Sequence, residues 1–184
     1  MLKTMILAGA LACTSAATAH AQVFVGGTGD AYACYMSAKS GDAGTSGAIG
    51  TCERALSGGT LIGTDRASTL VNLGILLMRR GDHLKSLDAF DAAIGLRPNL
   101  AEAHLNRGAS LIFLQRPDEA IAALTQSIDL ETLHMPEALY NRALAYERME
   151  HFNSAYADLQ LARTLRPDWD TVARTLERYQ VVSD

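Results

Sequence analysis

This 184-residue chain sets 16 Lys and Arg against 20 Asp and Glu, a formal net charge of −4. Its arginines are scattered and no basic stripe alternates with aromatic residues, which argues against a nucleic-acid partner. The length is that of one domain, and no apolar run is long enough to span a membrane.

Met1–Ala21 reads as a secretory signal. Lys3 supplies the positive start, Met5–Ala12 an apolar run, and Ala19-His20-Ala21 a small-x-small cleavage site before Gln22. The mature chain is then expected to be residues 22–184, and loss of Lys3 takes the formal charge from −4 to −5. Cys13 raises a rival, because Ala10-Leu11-Ala12-Cys13 faintly matches a lipoprotein box. Leucine is missing three places before the cysteine and a better small-x-small site follows, so lipidation is not expected.

Residues 22–66 form the next segment. Val23–Thr28 reads as a loose tail, and Asp30–Ala38 and Ile49–Leu56 as two short helices. Cys34 and Cys52 are the cysteines left after cleavage, and an even count in an exported chain argues for one structural disulfide closing a helical hairpin. The loop between them is rich in Gly, Ser, Ala and Thr. Closing it contributes about 3 kcal/mol by chain-entropy arguments. Gly41, Gly44, Gly47 and Gly50 lie in or beside this loop with no Gly-Lys-Ser/Thr after them and no strand before them, so a phosphate loop is rejected.

From Ala67 onward the chain repeats itself over residues 67–100, 101–135 and 136–169. Place eight is Gly74, Gly108 or Ala143, and place eleven is Leu77, Leu111 or Tyr146. Place twenty-four is Phe90, Leu124 or Leu159, and asparagine holds place six throughout (Asn72, Asn106, Asn141). Pro98 and Pro167 close the outer units, with Thr132 between them. A period of 34 residues, then 35, indicates stacked pairs of helices. In the first unit Leu70, Leu73, Gly74 and Leu77 share one helical face. Pro117, Asp118 and Glu119 suit the start of a helix. The small residues at place eight, with Ser86, Ala120 and Ala155 at place twenty, are expected to let paired backbones approach. Those at place twenty-seven (Ala93, Ser127, Ala162) should do the same toward the next unit.

These residues resemble the tetratricopeptide repeat family over positions 67–169. The departures are His104 at place four, Arg107 and Arg142 at place seven, and Ser86 at place twenty. The resemblance implies an all-α, right-handed α-solenoid of three helix pairs. Cys52 and Ala55 mimic places twenty-four and twenty-seven, so the stapled hairpin is expected to be a degenerate extra repeat capping the N-terminal end. Residues 170–184 follow as a C-terminal cap helix and tail, with Val172, Ala173, Leu176 and Tyr179 on one face and Trp169 packed beneath it.

The resemblance also implies that first helices line a concave groove. Its contact places hold Val71, Ile75, Met78 and Arg79, then Leu105, Ala109, Ile112 and Phe113, then Tyr140, Leu144 and Arg148. An apolar stripe of this length should be covered. A helix or extended segment of a partner protein or peptide would do it. So would the chain's own N-terminal hairpin, or a second copy in a homodimer. The lysines and arginines of an acidic-tail clamp are absent, and the three asparagines are expected to tie neighbouring first helices together. Arg79-Arg80 reads as a solvated helix end.

No nucleophile with a base, paired carboxylates, Gly-x-Ser-x-Gly elbow, metal-ligand spacing or cofactor motif occurs. His104 is expected to pack, and His83 and His151 fall at turns. The sequence therefore reads as a periplasmic, non-catalytic interaction scaffold. A self-associating structural protein is the alternative, and an enzyme with an unrecognised site the remote one.

Overall fold

The computed structural model describes the backbone of residues 4–7 and 180–182, and residues 21–25 and 29–179 in full. Among them, helices α1 (Asp30–Lys39) and α2 (Ser46–Ser57) form a hairpin bridged by the Cys34–Cys52 disulfide, S–S 2.05 Å. Three helix pairs follow: α3 (Gly63–Arg80) with α4 (His83–Leu96), α5 (Ala101–Phe113) with α6 (Pro117–Asp129), and α7 (Met135–Arg148) with α8 (Phe152–Leu165). Each helix packs on the next, and α3, α5 and α7 also touch in sequence, so they lie side by side along one wall. This is the stacked solenoid implied by the period.

The hairpin is docked as part of the stack, with both α1 and α2 against α3. The Asp42 carboxylate accepts from the Gly44 and Thr45 N–H groups, and the Thr45 hydroxyl caps α2 by accepting from Ala48 N–H. Gly44 (φ 77°) presses so closely on α3 that a Cβ there would lie 2.1 Å from the Leu76 carbonyl oxygen. Only glycine meets both demands.

The turn inside each pair uses one geometry with three different residues. Gly81, Gln115 and Glu150 occupy the same repeat place with φ of 90°, 58° and 58°. The left-handed turn is free for Gly81 and strained by roughly 1 kcal/mol for each of the other two.

Small residues at place eight keep the paired helices close, and the side chain nearest to them is one the sequence reading did not name. A Cβ on Gly74 would meet the Phe90 ring at 2.5 Å, and one on Gly108 would meet Leu124 Cγ at 2.4 Å. Place eight therefore presses most closely on place twenty-four. The Ser86 hydroxyl at place twenty instead bonds Ser110 of the next unit at 2.8 Å. At place twenty-seven, Ser127 donates to the Ala101 carbonyl of its own unit.

The C-terminal end is also corrected. Helix α9 spans Asp170–Leu176 and stops before Tyr179, which opens strand β2 (Tyr179–Val182). Its antiparallel partner is β1 (Thr4–Leu7), with Thr4 opposite Val182 and Leu7 opposite Tyr179. This ribbon, of which β1 lies inside the segment read as a signal, is the one departure from an all-α fold among the described residues. Met1–Lys3 and the rest of that segment up to His20, Cys13 included, lie outside the described residues. Trp169 packs as expected, its ring 5.1 Å from Tyr140 with the Arg166 guanidinium over it.

Candidate functional site

The wall made by α3, α5 and α7 carries the apolar stripe, and the stripe is covered. Val71, Ile75, Leu105, Ala109 and Ile112 have no exposed surface, and Met78, Tyr140 and Leu144 are also buried. One cover is a stretch without regular secondary structure, residues 21–25, lying ahead of the hairpin. The expectation of a loose tail from Val23 is corrected for this stretch, since Ala21 and Val25 are buried and Val23 is half-buried; residues 26–28 lie outside the described residues. Ala21 packs in one cluster with Leu105, Ile112, Tyr140 and Leu144. Val25 packs with Ala31 and Ala55 of the hairpin.

The stretch is held by its main chain. Asn72 grips Val23 at two points: its Oδ1 accepts from Val23 N–H at 3.2 Å, and its Nδ2 donates to the Val23 carbonyl at 2.8 Å. Asn106 Nδ2 donates to the Ala21 carbonyl at 3.1 Å, as well as to Glu102 O one turn back. Residues two apart face the same way in an extended chain, so successive asparagines engage alternate residues. Side-chain amides offer both a donor and an acceptor, which is what an extended backbone needs. The role expected for these asparagines, tying first helices to one another, is therefore corrected at Asn72 and Asn106. Asn141, the third of the series, is fully buried, and neither of its amide atoms has a partner among the described residues. Asn106 Oδ1 and Glu137 Oε2 are likewise buried and unpartnered there.

Other residues expected in the groove do different work. Arg79 is not a solvated end, because its Nη1 donates to the carbonyls of Ala38 and Asp42 and so pins the hairpin to α3, at the edge of a cleft that it also lines. Burial lowers its pKa, against a smaller opposing pull from Asp42. Arg148 donates to Gln115 Oε1 across neighbouring units. Phe113 is 36% exposed and stacks on the His83 ring, centroids 4.4 Å apart and planes 5° apart. Both rings border an open cleft of about 530 Å³ shared with Met78 and Gly41. Burial pushes the His83 pKa down, with Asp82 pulling weakly the other way. His104 does not pack in the core: its ring reaches the Pro98 carbonyl at 2.8 Å.

At the far end of the wall, sequence reasoning missed Glu147. Its carboxylate is buried, accepts from the Tyr179 hydroxyl at 2.7 Å and from Arg178 at 2.8 Å, and so latches the C-terminal end onto α7. Burial, then the Glu147 carboxylate, raises the Tyr179 pKa and keeps the phenol protonated. No spacing signal links residues 32 apart. Arg142 is similarly engaged, forking onto Asp158 with two bonds of 2.8 Å and reaching Thr125. Among the described residues no cluster of three His, Cys, Asp or Glu could hold a metal ion, and no helix is long and apolar enough to cross a membrane.

Two family models, each described as tetratricopeptide repeat, match residues 65–131 and 136–168. The chain belongs to the tetratricopeptide repeat family. A DnaJ homolog subfamily C member 7 homolog of Schizosaccharomyces pombe is 26% identical over 114 residues, which is 60% of this chain and 24% of that protein. The chain thus spans about a quarter of that relative's length. Among solved structures, MamA superposes with a TM-score of 0.66 at 22% identity, covering 78% of this chain and 80% of that one. The first repeat domain of Spaghetti (RPAP3), bound to the HSP90 peptide SRMEEVD, gives 0.61 at 17% identity, covering 65% and 94%. These likenesses show the tetratricopeptide fold.

Proposed function

We propose that this tetratricopeptide repeat protein is an exported, non-catalytic scaffold of the periplasm that holds an extended segment of a partner in its concave groove. The observation that carries the reading is the two-point grip of Asn72 on the Val23 main chain. It shows how an extended chain fits this wall: backbone on the asparagines, small or apolar side chains on the stripe. Export rests on the signal-like residues 1–21 and on the Cys34–Cys52 disulfide, which persists in oxidising compartments. A peptide occupies one similar repeat domain, which supports a peptide as ligand here. That peptide ends in an acidic tail, whereas this groove holds Ser68, Glu102 and Glu137 at place two and Val71, Leu105 and Tyr140 at place five. Recognition therefore runs through the main chain and not through a terminal carboxylate.

The test is fluorescence anisotropy of the mature chain against an array of labelled nine-residue peptides, each with a free and an amidated C terminus. Binding should be indifferent to amidation and should weaken in an Asn106→Ala, Asn141→Ala double variant whose helicity is intact. Binding that needs the free carboxylate, or that ignores both asparagines, refutes the reading. A mature chain that sediments as a concentration-stable dimer with no peptide affinity would instead favour the groove being filled by a second copy.

A further inference from the structure

Resting on that groove reading, we propose that signal removal is itself the step that opens the groove, freeing its Asn106 station for an extended segment of another protein. The segment in the groove runs from Ala21 at Asn106 to Val23 at Asn72, opposite to the order of the repeats. The expected cleavage point, between Ala21 and Gln22, falls between those two stations. Cutting there divides the bound stretch unequally. The Val23 contacts with Asn72 belong to the part that stays, and Val25 remains anchored among Ala31 and Ala55 of the stapled hairpin. The Ala21 carbonyl, which is Asn106's partner among the described residues of the segment, leaves with the excised piece.

Before the cut Ala21 is tethered, so its contact with Asn106 is intramolecular and held at a high effective concentration. After the cut that covalent advantage is gone, and the excised piece is kept only by non-covalent holds, its Asn106 bond and the pairing of residues 4–7 with residues 179–182. Asn106 is then left open, on the same wall as Asn141, whose two amide atoms lack partners among the described residues, and Glu137, whose Oε2 is likewise unpartnered there. Buried polar atoms left unmatched favour whatever brings the matching groups. An extended backbone brings alternating N–H and C=O, and Glu137 Oε2 selects a donor over an acidic tail. Ala21 has no exposed surface and packs with Leu105, Ile112, Tyr140 and Leu144, so an occupant with a small apolar side chain fits at that point. The ligand class is thus an extended segment of a partner with a small residue over Asn106, joined end to end with the chain's own residues 22–25. The uncut chain blocks its own groove.

The probe is a fluorescein-labelled, amidated peptide with the sequence of Thr14–Ala21, titrated against the mature chain 22–184 and against the full chain 1–184 purified without signal peptidase. The mature chain should bind at least about tenfold more tightly than the full chain. Asn106→Ala in the mature chain should cost about five- to tenfold, with unchanged helicity by circular dichroism. Equal affinity for the two forms overturns the role of processing and leaves the scaffold reading standing. Failure of the mature chain to bind this probe overturns the small-residue register, while the peptide array judges the scaffold reading separately. A mature dimer that the probe does not dissociate overturns the proposal in favour of a second copy as occupant.

Discussion

Replacing Gly74 by alanine puts a methyl where the Phe90 ring already stands. An ideal Cβ would lie 2.5, 2.7 and 2.9 Å from Cε1, Cζ and Cδ1, so the ring must retreat by roughly 0.9 Å to reach ordinary contact near 3.4 Å. Phe90 has no exposed surface and is packed in the core of the first unit. Overpacking of this kind costs about 1–3 kcal/mol. Against it stands the helix preference for alanine over glycine, about 1 kcal/mol. The net expectation is a loss of about 1 kcal/mol. The third unit pairs Ala143 with Leu159 at the same two places, so it supplies an internal control. Adding Phe90→Leu to Gly74→Ala recreates that pair, and the two changes should therefore be strongly non-additive, with a smaller loss than the singles sum to. Urea denaturation followed by far-UV circular dichroism reads all three variants. A Gly74→Ala protein stabilised by the full helix-propensity gain, with purely additive doubles, would refute the place-eight to place-twenty-four contact.

Gln115→Gly and Glu150→Gly each relieve a left-handed turn residue, and each should raise stability by up to about 0.5–1 kcal/mol in the same assay, where Gly81→Ala should lower it. Reducing Cys34–Cys52 removes about 3 kcal/mol of loop constraint, and the melting midpoint should fall by several degrees while most helical signal survives; loss of all helicity would show the repeats cannot stand without the staple. His83 is held below its ordinary pKa of 6.5 by burial, so the unfolded chain takes up its proton first as pH falls. Its share of stability is therefore present above pH 6.5 and lost as pH drops below it, and His83→Gln should flatten that part of a pH–melting curve. Arg142→Lys keeps the charge but loses the fork onto Asp158, which should cost about 2 kcal/mol; an unchanged midpoint would place the pair among ion pairs that contribute nothing.

The repeat was legible because its signal is redundant: Gly74, Phe90, Pro98 and their equivalents recur at fixed places, and each recurrence constrains the others. Helix pairing, the turn places and the disulfide followed from local rules. What stayed hidden depends on contacts between residues far apart that share no period. Residues 21–25 have no amphipathic pattern, and their order comes from the wall they lie on. An asparagine on a first helix can serve a neighbouring helix or a passing backbone equally well, so Asn72 looked structural until Val23 was placed beside it. Arg79 looked like a solvated helix end because its acceptors, the carbonyls of Ala38 and Asp42, are main-chain atoms of a loop whose docking no side-chain spacing records. The cap helix was read too long for a similar reason. Tyr179 fits a helical face by spacing, but its hydroxyl is claimed by Glu147.

The central claim is that the concave wall grips an extended chain by its backbone, and the amide of Val23 reports on it directly. Hydrogen exchange of the mature protein, followed by NMR, should find the Val23 N–H protected well beyond the rate of an unstructured chain, and Asn72→Ala should abolish that protection while the amides of α5 stay slow. A Val23 amide exchanging at the unstructured rate in the unmutated protein would contradict the account.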